Sequence, residues 1–441
     1  MRWQLLVALV AAATWTAARG EVKDDFRGYK VYRLVPRTPQ HVDFLNNLQS
    51  KLEEQVPVDE VEIWSDIGQL SPEAVGPVLI MVSPEHQAQM TKSFDAEKIP
   101  YEVTIADLNK AILEESRRSD VRSTSSGGIS WTEYHDYPVI LSFVDFLVRD
   151  YPSLVTKTVL GQTYEGRDIV LLKIGKPPAD GKTKPAFWMD ANIHAREWIS
   201  SATLTYMTNK LVTEYATNQT IQGLVNQLDW YILPVVNPDG FAWTHNETKN
   251  RLWRTTRKVN PYSNCLGADP NRNYDHRWMV AGADQKPCSN TFAGPYPYSE
   301  TENLVLTEAY LARQSQIKAM LSFHSYSQYW LTPFGDKTFP PDIAELKAVA
   351  HRAVNALTSQ FGTKYKVGSP SEILYDATGG THDWAKAKGL TKYSYTPELR
   401  DTGKHGFVLP PEQIIPSGIE TWEAVKVIAD QVIAEFGPTL D

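Results

Sequence analysis

His194 and Glu197 share a His-x-x-Glu spacing in the run Asn192-Ile193-His194-Ala195-Arg196-Glu197-Trp198, and a second histidine, His324, lies far downstream in Phe323-His324-Ser325-Tyr326. Two imidazoles and one carboxylate can hold a zinc ion while leaving a fourth place for water, the pattern of catalytic rather than structural zinc. With only 2 cysteines, Cys265 and Cys288, the chain cannot build a Cys-rich structural site. Taken singly these signals are weak, since a His-x-x-Glu is more often an exposed polar pair and a lone strand histidine more often a structural one. Further groups change the balance. Asn250-Arg251-Leu252-Trp253-Arg254 and Asp269-Pro270-Asn271-Arg272-Asn273 put guanidinium forks in loops, where they suit carboxylate recognition. Tyr393-Ser394-Tyr395-Thr396-Pro397-Glu398 brings another acid to the end of a strand that Pro397 is expected to terminate.

The elements that must position these groups follow from hydrophobic periodicity. Apolar Ala186 to Met189 reads as a buried strand, so His194 and Glu197 leave its C-terminal end and open a helix from Trp198 to Tyr215, the place where open α/β sheets bind ligands. His324 closes a second strand from Ala319. Strands at Ile169–Ile174, Trp230–Val236 and Lys392–Thr396 alternate with helices at Glu300–Arg313, Asp342–Phe361, Thr381–Lys388 and Gly418–Phe436. That alternation predicts a central sheet covered by helices on both faces. Ahead of it, strands at Tyr29–Leu34, Val61–Trp64, Val78–Val82 and Tyr101–Ile105, with helices at His41–Gln55, Met90–Glu97 and Ile105–Arg117, predict a small separate α/β unit.

At 441 residues the chain exceeds one ordinary core, in keeping with two units. Residues 1–20 join Arg2, an apolar stretch from Leu5 to Ala13 and small residues Ala17, Ala18 and Gly20 in the three zones of a secretory signal, too short to span a bilayer. Export would make Cys265 and Cys288 readable as a disulfide, with two buried thiols the alternative. Asn218-Gln219-Thr220 and Asn246-Glu247-Thr248 fit the N-glycosylation pattern. Most of the net charge of −8 resides in Glu21 to Arg118, which suggests either a solvated surface or a cover complementing a cationic cleft. Basic residues are dispersed, so no nucleic-acid footprint is expected. Between the two units Arg117, Arg118 and Arg122 lead into Ser123-Thr124-Ser125-Ser126-Gly127-Gly128, an exposed tether and a trypsin-type target.

From about Tyr29 to the C-terminus, the chain resembles the secreted zinc metallocarboxypeptidases of the pancreatic A/B type in pre-pro form. The resemblance is carried by His194-Ala195-Arg196-Glu197-Trp198, Asn250 to Arg254, Asp269 to Asn273, His324-Ser325-Tyr326-Ser327-Gln328, Tyr375-Asp376-Ala377-Thr378-Gly379-Gly380 and Glu398-Leu399-Arg400-Asp401-Thr402-Gly403, six blocks in family order. It implies one Zn2+ held by His194, Glu197 and His324, with Glu398 as general base and Arg254 polarising the scissile carbonyl. It further implies that Asn271, Arg272 and Tyr375 grip the substrate's terminal carboxylate, that Arg196 helps along the cleft, and that Asp269 fixes the His194 ring. The Cys265/Cys288 spacing agrees with the family's bridge.

The domains implied are a signal at 1–20, an inhibitory ferredoxin-like α/β prodomain at 21–118, an activation linker at 119–128 and a catalytic α/β domain at 129–441. Expected partners are peptide and protein C-termini and an activating trypsin-like protease, with no nucleic acid, no membrane and a monomeric, extracellular enzyme. In the pocket for the departing side group, enzymes of the A type carry an apolar residue at the floor and those of the B type an acid, whereas this sequence has His382 there. A neutral imidazole would line a pocket for apolar or aromatic ends and an imidazolium would attract acidic ones; apolar and aromatic ends are expected and basic ones not. The other readings are a secreted zinc-binding protein without turnover, disfavoured by Glu398 and Arg254, and a zinc endopeptidase, disfavoured because no His-Glu-x-x-His occurs.

Overall fold

The structure is a computed structural model that describes residues 25–55, 60–64, 76–116, 127–178, 181, 183–261 and 263–437. The expected signal at 1–20 and the arginines Arg117, Arg118 and Arg122 lie outside the described residues.

The front unit runs β1 (Lys30–Leu34), α1 (Pro39–Gln55), β2 (Val61–Ile63), β3 (Val78–Val82), α2 (Gln87–Ala96), β4 (Tyr101–Ile105) and α3 (Leu108–Glu115). Its antiparallel sheet has the order β2-β3-β1-β4, so the βαββαβ connectivity is ferredoxin-like, as expected. All five residues of β3 are buried. Val78, Ile80 and Val82 pack with Leu45, Met90 and Phe94 of the unit's own helices, while Leu79 and Met81 face the opposite way, against Leu252, Tyr326, Phe407 and Val408 of the second unit. An unbroken apolar strand is the signature of a sheet covered on both faces. Helix α3 starts later than periodicity predicts, because Ile105 ends β4 and Asp107 caps the helix by accepting the Lys110 N–H at 2.9 Å.

The second unit contains α4 (Tyr137–Asp150), β5 (Val155–Gln162), β6 (Asp168–Ile174), β7 (Ala186–Ala191), α5 (Trp198–Thr213), α6 (Gln219–Gln227), β8 (Asp229–Leu233), α7 (Pro238–Thr244), α8 (Thr301–Leu311), β9 (Ile317–Ser325), β10 (Tyr329–Leu331), α9 (Ile343–Phe361), β11 (Lys366–Gly368), α10 (Pro370–Ile373), α11 (Thr381–Ala387), β12 (Tyr393–Leu399) and α12 (Ile414–Phe436). Its mixed sheet has the order β11-β10-β12-β9-β7-β8-β6-β5, with β12, β9, β7 and β8 mutually parallel at the centre. Phe187, Met189 and Ala191 of β7 meet side chains of α4, α5, α6, α9 and α12, whereas Ala186 and Trp188 meet α8 and α11. Helices thus cover both faces, as the alternation predicts.

Pro397 does not end its strand, contrary to expectation. β12 continues to Leu399, with Pro397 opposite Trp330 and the register against β9 resuming at Glu398 and Leu399. A proline removes one donor from a ladder, and flanking pairs on two neighbours carry the strand past it. Cys265 and Cys288 form a disulfide.

Candidate metal centre

β7 ends at Ala191, and the loop that follows is shaped by Asn192 in the left-handed region at φ +50°. Its amide donates to the carbonyls of His194, Ala195 and Glu197, and its side-chain oxygen accepts from Ser200 Oγ and the Ser201 N–H. This hub tightens the loop until Glu197 becomes the N-cap residue of α5. Glu197 therefore reaches His194 across a capping turn rather than along a helix. On the adjacent parallel strand β9, Phe323 pairs with Ala191, which brings His324 to the same sheet edge. Glu398 follows on the next strand, in register with His324.

The two histidines and Glu197 converge. His194 Nδ1 lies 2.7 Å from Glu197 Oε1, His324 Nδ1 lies 3.1 Å from Glu197 Oε2, and the two Nδ1 atoms are 3.1 Å apart. Two nitrogens on one tetrahedral zinc, each at about 2.0–2.1 Å, stand roughly 3.3 Å apart. Two lone pairs aimed at each other at this distance, with a carboxylate beside them, fit a shared cation. It is the one such donor group found among the described residues, with all three members buried. Burial alone would raise the Glu197 carboxyl, but the facing rings of His194 and His324 outweigh it and hold Glu197 below the usual carboxylate range.

Asp269 organises the next layer. One oxygen sits 3.1 Å from His194 Nε2 and accepts the Asn271 N–H at 2.8 Å, while the other accepts from Arg254 Nη2 at 2.8 Å. A carboxylate on the far ring nitrogen fixes which nitrogen faces a metal. Burial raises the Asp269 carboxyl, yet Arg254, His194 and Arg272 prevail and hold it well below its ordinary value. Asp269 also caps the turn Pro270–Arg272, which presents Asn271 and Arg272. Arg272 donates through Nε to the Gly282 carbonyl at 2.7 Å and through Nη2 to Tyr375 Oη at 3.5 Å. Asn271 Oδ1 accepts from the Thr381 N–H at 2.9 Å, so the start of α11 is tied to the same turn. His382, the next residue, is buried.

Arg196 stands apart from the carboxylate-gripping group: it donates to Glu62 of the front unit at 2.6 Å and stacks on Phe407 at 4.0 Å. Asn290, just past the disulfide, donates to the same Glu62 oxygen at 2.6 Å. Sequence reasoning missed a second clamp, in which Arg251 binds Glu115 bidentately at 2.6 and 2.8 Å, donates to the carbonyls of Arg196 and Phe407, and stacks on Trp198 at 3.8 Å. The signal was present. Glu115 falls on the apolar stripe of α3 with Leu108 and Ile112, and Glu62 sits inside the strand Val61–Ile63, both places where an unpaired acid would be costly. Trp64 packs on Phe407 with centroids 5.5 Å apart, and Thr104 Oγ1 donates to the Lys404 carbonyl at 2.7 Å. The front unit thus covers the loops around the metal centre through a buried apolar seam framed by two ion pairs.

The family model described as zinc carboxypeptidase matches residues 140–424, and that described as carboxypeptidase activation peptide matches residues 32–115. Carboxypeptidase B of Astacus astacus is 47% identical over 306 residues, covering 69% of this chain and 98% of that protein. Carboxypeptidase A1 of Bos taurus is 38% identical over 430 residues, covering 96% and 98%. Among solved structures, thrombin activatable fibrinolysis inhibitor superposes with a TM-score of 0.82 at 32% identity, covering 93% of this chain and 100% of that one.

Proposed function

The chain belongs to the zinc carboxypeptidase family, and from that premise we propose that it is secreted, is activated by trypsin-like cleavage in the Arg117–Arg122 segment, and releases apolar or aromatic C-terminal residues as a monomer. It is a zinc metallocarboxypeptidase carrying an activation peptide, hence a zymogen. Among the described residues no helix is long and apolar enough to cross a membrane. In this reading residues 1–20 are the signal, 21–118 the inhibitory prodomain, 119–128 the linker and 129–441 the catalytic domain.

His194, Glu197 and His324 would hold the zinc, and the reading rests chiefly on their convergence at one sheet edge. When bound, zinc supplies Lewis acidity, acidifying water and polarising a carbonyl. Glu398, half-buried and one strand from His324, takes the proton of the attacking water and delivers it to the departing amine. Arg254, oriented by Asp269, meets the negative charge that grows on the carbonyl oxygen. Arg272, Asn271 and Tyr375 hold the α-carboxylate, which a chain interior does not offer, so cleavage is confined to the last bond. Arg196 extends the cleft once Glu62 departs. Burial pushes the His382 imidazole down to about 3, so it is neutral at working pH and gives no attraction to acidic ends.

The test is to treat the purified zymogen with trypsin and incubate it with a peptide ending in free phenylalanine and with its C-terminal amide. Mass spectrometry should show one residue lost from the acid and none from the amide. Internal cleavage, or no shortening after confirmed removal of the prodomain, would refute the reading. Glu398→Gln should keep stoichiometric zinc and lose turnover.

A further inference from the structure

We propose that His382 and Asp383 form a hydrogen-bonding floor that selects C-terminal side chains with a neutral tip able to donate and accept, tyrosine ahead of phenylalanine. This inference rests on the carboxypeptidase reading of the site. The α-carbon of the departing residue bears the carboxylate, the scissile nitrogen and the side chain. With the carboxylate on Arg272 and the scissile bond beside His194, Glu197 and His324, the side chain must enter the space that borders both.

The first turn of α11 lies there. Thr381 binds Asn271 Oδ1 through its N–H at 2.9 Å and its hydroxyl at 3.0 Å. Asp383 lies within electrostatic reach of the Arg272 guanidinium. Both side chains are sealed from bulk water, at 6% and 1% exposure. Yet neither ring nitrogen of His382 has a hydrogen-bond partner, and neither has Asp383 Oδ1. His382 Nε2 and Asp383 Oδ1 are 3.1 Å apart but lack the alignment of a hydrogen bond. The surroundings hold both residues in place: the His382 carbonyl accepts from Ser394 Oγ at 2.7 Å, and Asp383 Oδ2 accepts the Gly335 N–H at 2.9 Å.

Three such atoms on two adjacent residues, tied to the turn that presents Asn271 and Arg272, point to a ligand that completes them. A phenyl ring would leave these atoms without partners, as they are in the free protein. A phenol hydroxyl, or a glutamine amide, both donates and accepts. Sites built to bond a hydroxyl reject the analogue lacking it far more strongly than an apolar pocket rejects one methylene. Burial raises the Asp383 carboxyl to about 7 against the pull of the Gly335 N–H, Arg277 and Arg272, while His382 stays neutral. The floor therefore favours a polar but uncharged tip.

The measurement is kcat/KM of the trypsin-activated protein on peptides identical except for a last residue of Tyr, Phe, Gln, Leu or Glu. Tyrosine should exceed phenylalanine by about tenfold or more. His382→Leu should bring the Tyr/Phe ratio close to one, and His382→Gln, which retains a donor and an acceptor, should restore part of it. Equal rates for Tyr and Phe in the unaltered protein, or a tyrosine preference that survives both His382→Leu and Asp383→Asn, would overturn the proposal. Release from none of the five peptides would instead refute the carboxypeptidase reading on which it stands.

Discussion

Replacing Glu115 by alanine in the uncut zymogen should raise its resting activity. In the closed form Glu115 and Arg251 are each about 1% exposed, and two of the four hydrogen bonds of the guanidinium go to this carboxylate. Removing one partner of a buried ion pair typically costs 3–5 kcal/mol, because the other charge stays buried without it. Burial pushes the Glu115 carboxyl up even though Arg251 pulls it down; the lower figure applies because Arg251 keeps other partners. The carbonyls of Arg196 and Phe407 and the face of Trp198 still support Arg251 after the change. A loss of about 3 kcal/mol from the docked state multiplies the undocked fraction by roughly a hundredfold. The assay is hydrolysis of a short peptide by full-length protein with a serine-protease inhibitor present, chain integrity being checked on a gel. Glu114→Ala is the control, since Glu114 is exposed and paired only loosely with Lys110 at 3.9 Å. A resting activity within about threefold of the parent for an intact Glu115→Ala protein would refute the latch, as would an equal rise for Glu114→Ala.

Asp269→Asn should weaken zinc affinity by about 10–100-fold, because an amide cannot accept from both the His194 ring and Arg254, and competition against a chromophoric chelator reads this directly. Glu302 is buried with Oε1 unpartnered, and burial raises its carboxyl from 4.5 to about 8. As pH climbs from about 4.5 to 8 the unfolded chain ionises while the folded one resists, so stability falls across that window and levels off above it. Glu302→Gln should therefore unfold at higher urea than the parent at pH 8, with a ceiling of roughly 4 kcal/mol, and at the same urea at pH 4. Coincident curves at pH 8 would show that the carboxyl is not held neutral.

The chemistry was legible in sequence because the metal-centre groups sit at strand ends that apolar runs reveal. Ala186 to Met189 and Ala319 to Phe323 are unbroken apolar stretches but for Ser322, so the edge carrying His194 and His324 could be located before the fold was known. What stayed hidden depends on contacts across long separations. β5 carries mostly solvent-facing side chains and is stabilised by pairing with β6, so periodicity gives no sign of it. Pro397 was read by its missing donor, while the neighbours that carry the strand past it, Trp330 and His324, come from elsewhere in the sequence. Glu62 and Glu115 stand among apolar neighbours in sequence, but nothing local identifies Arg196 and Arg251 as their partners. His382 could be placed by resemblance, but the unsatisfied state of its ring is a property of the packed molecule alone.

The front sheet completes its interior with borrowed side chains. Val31, Leu79 and Met81 share one buried cluster with the front unit's own Leu108 and Ile112 and with Leu252, Tyr326, Phe407 and Val408 of the second unit. Were the front unit to leave, the part of that cluster now covered from across the seam would meet water at about 25 cal/mol for every Å² uncovered. The liberated piece would keep its core of Leu45, Val78, Ile80, Val82, Met90 and Phe94 but carry an uncovered apolar face, which favours local opening and digestion. Digestion of the fragment would remove the species able to rebind, so maturation behaves as a ratchet whose backward step disappears with its own product.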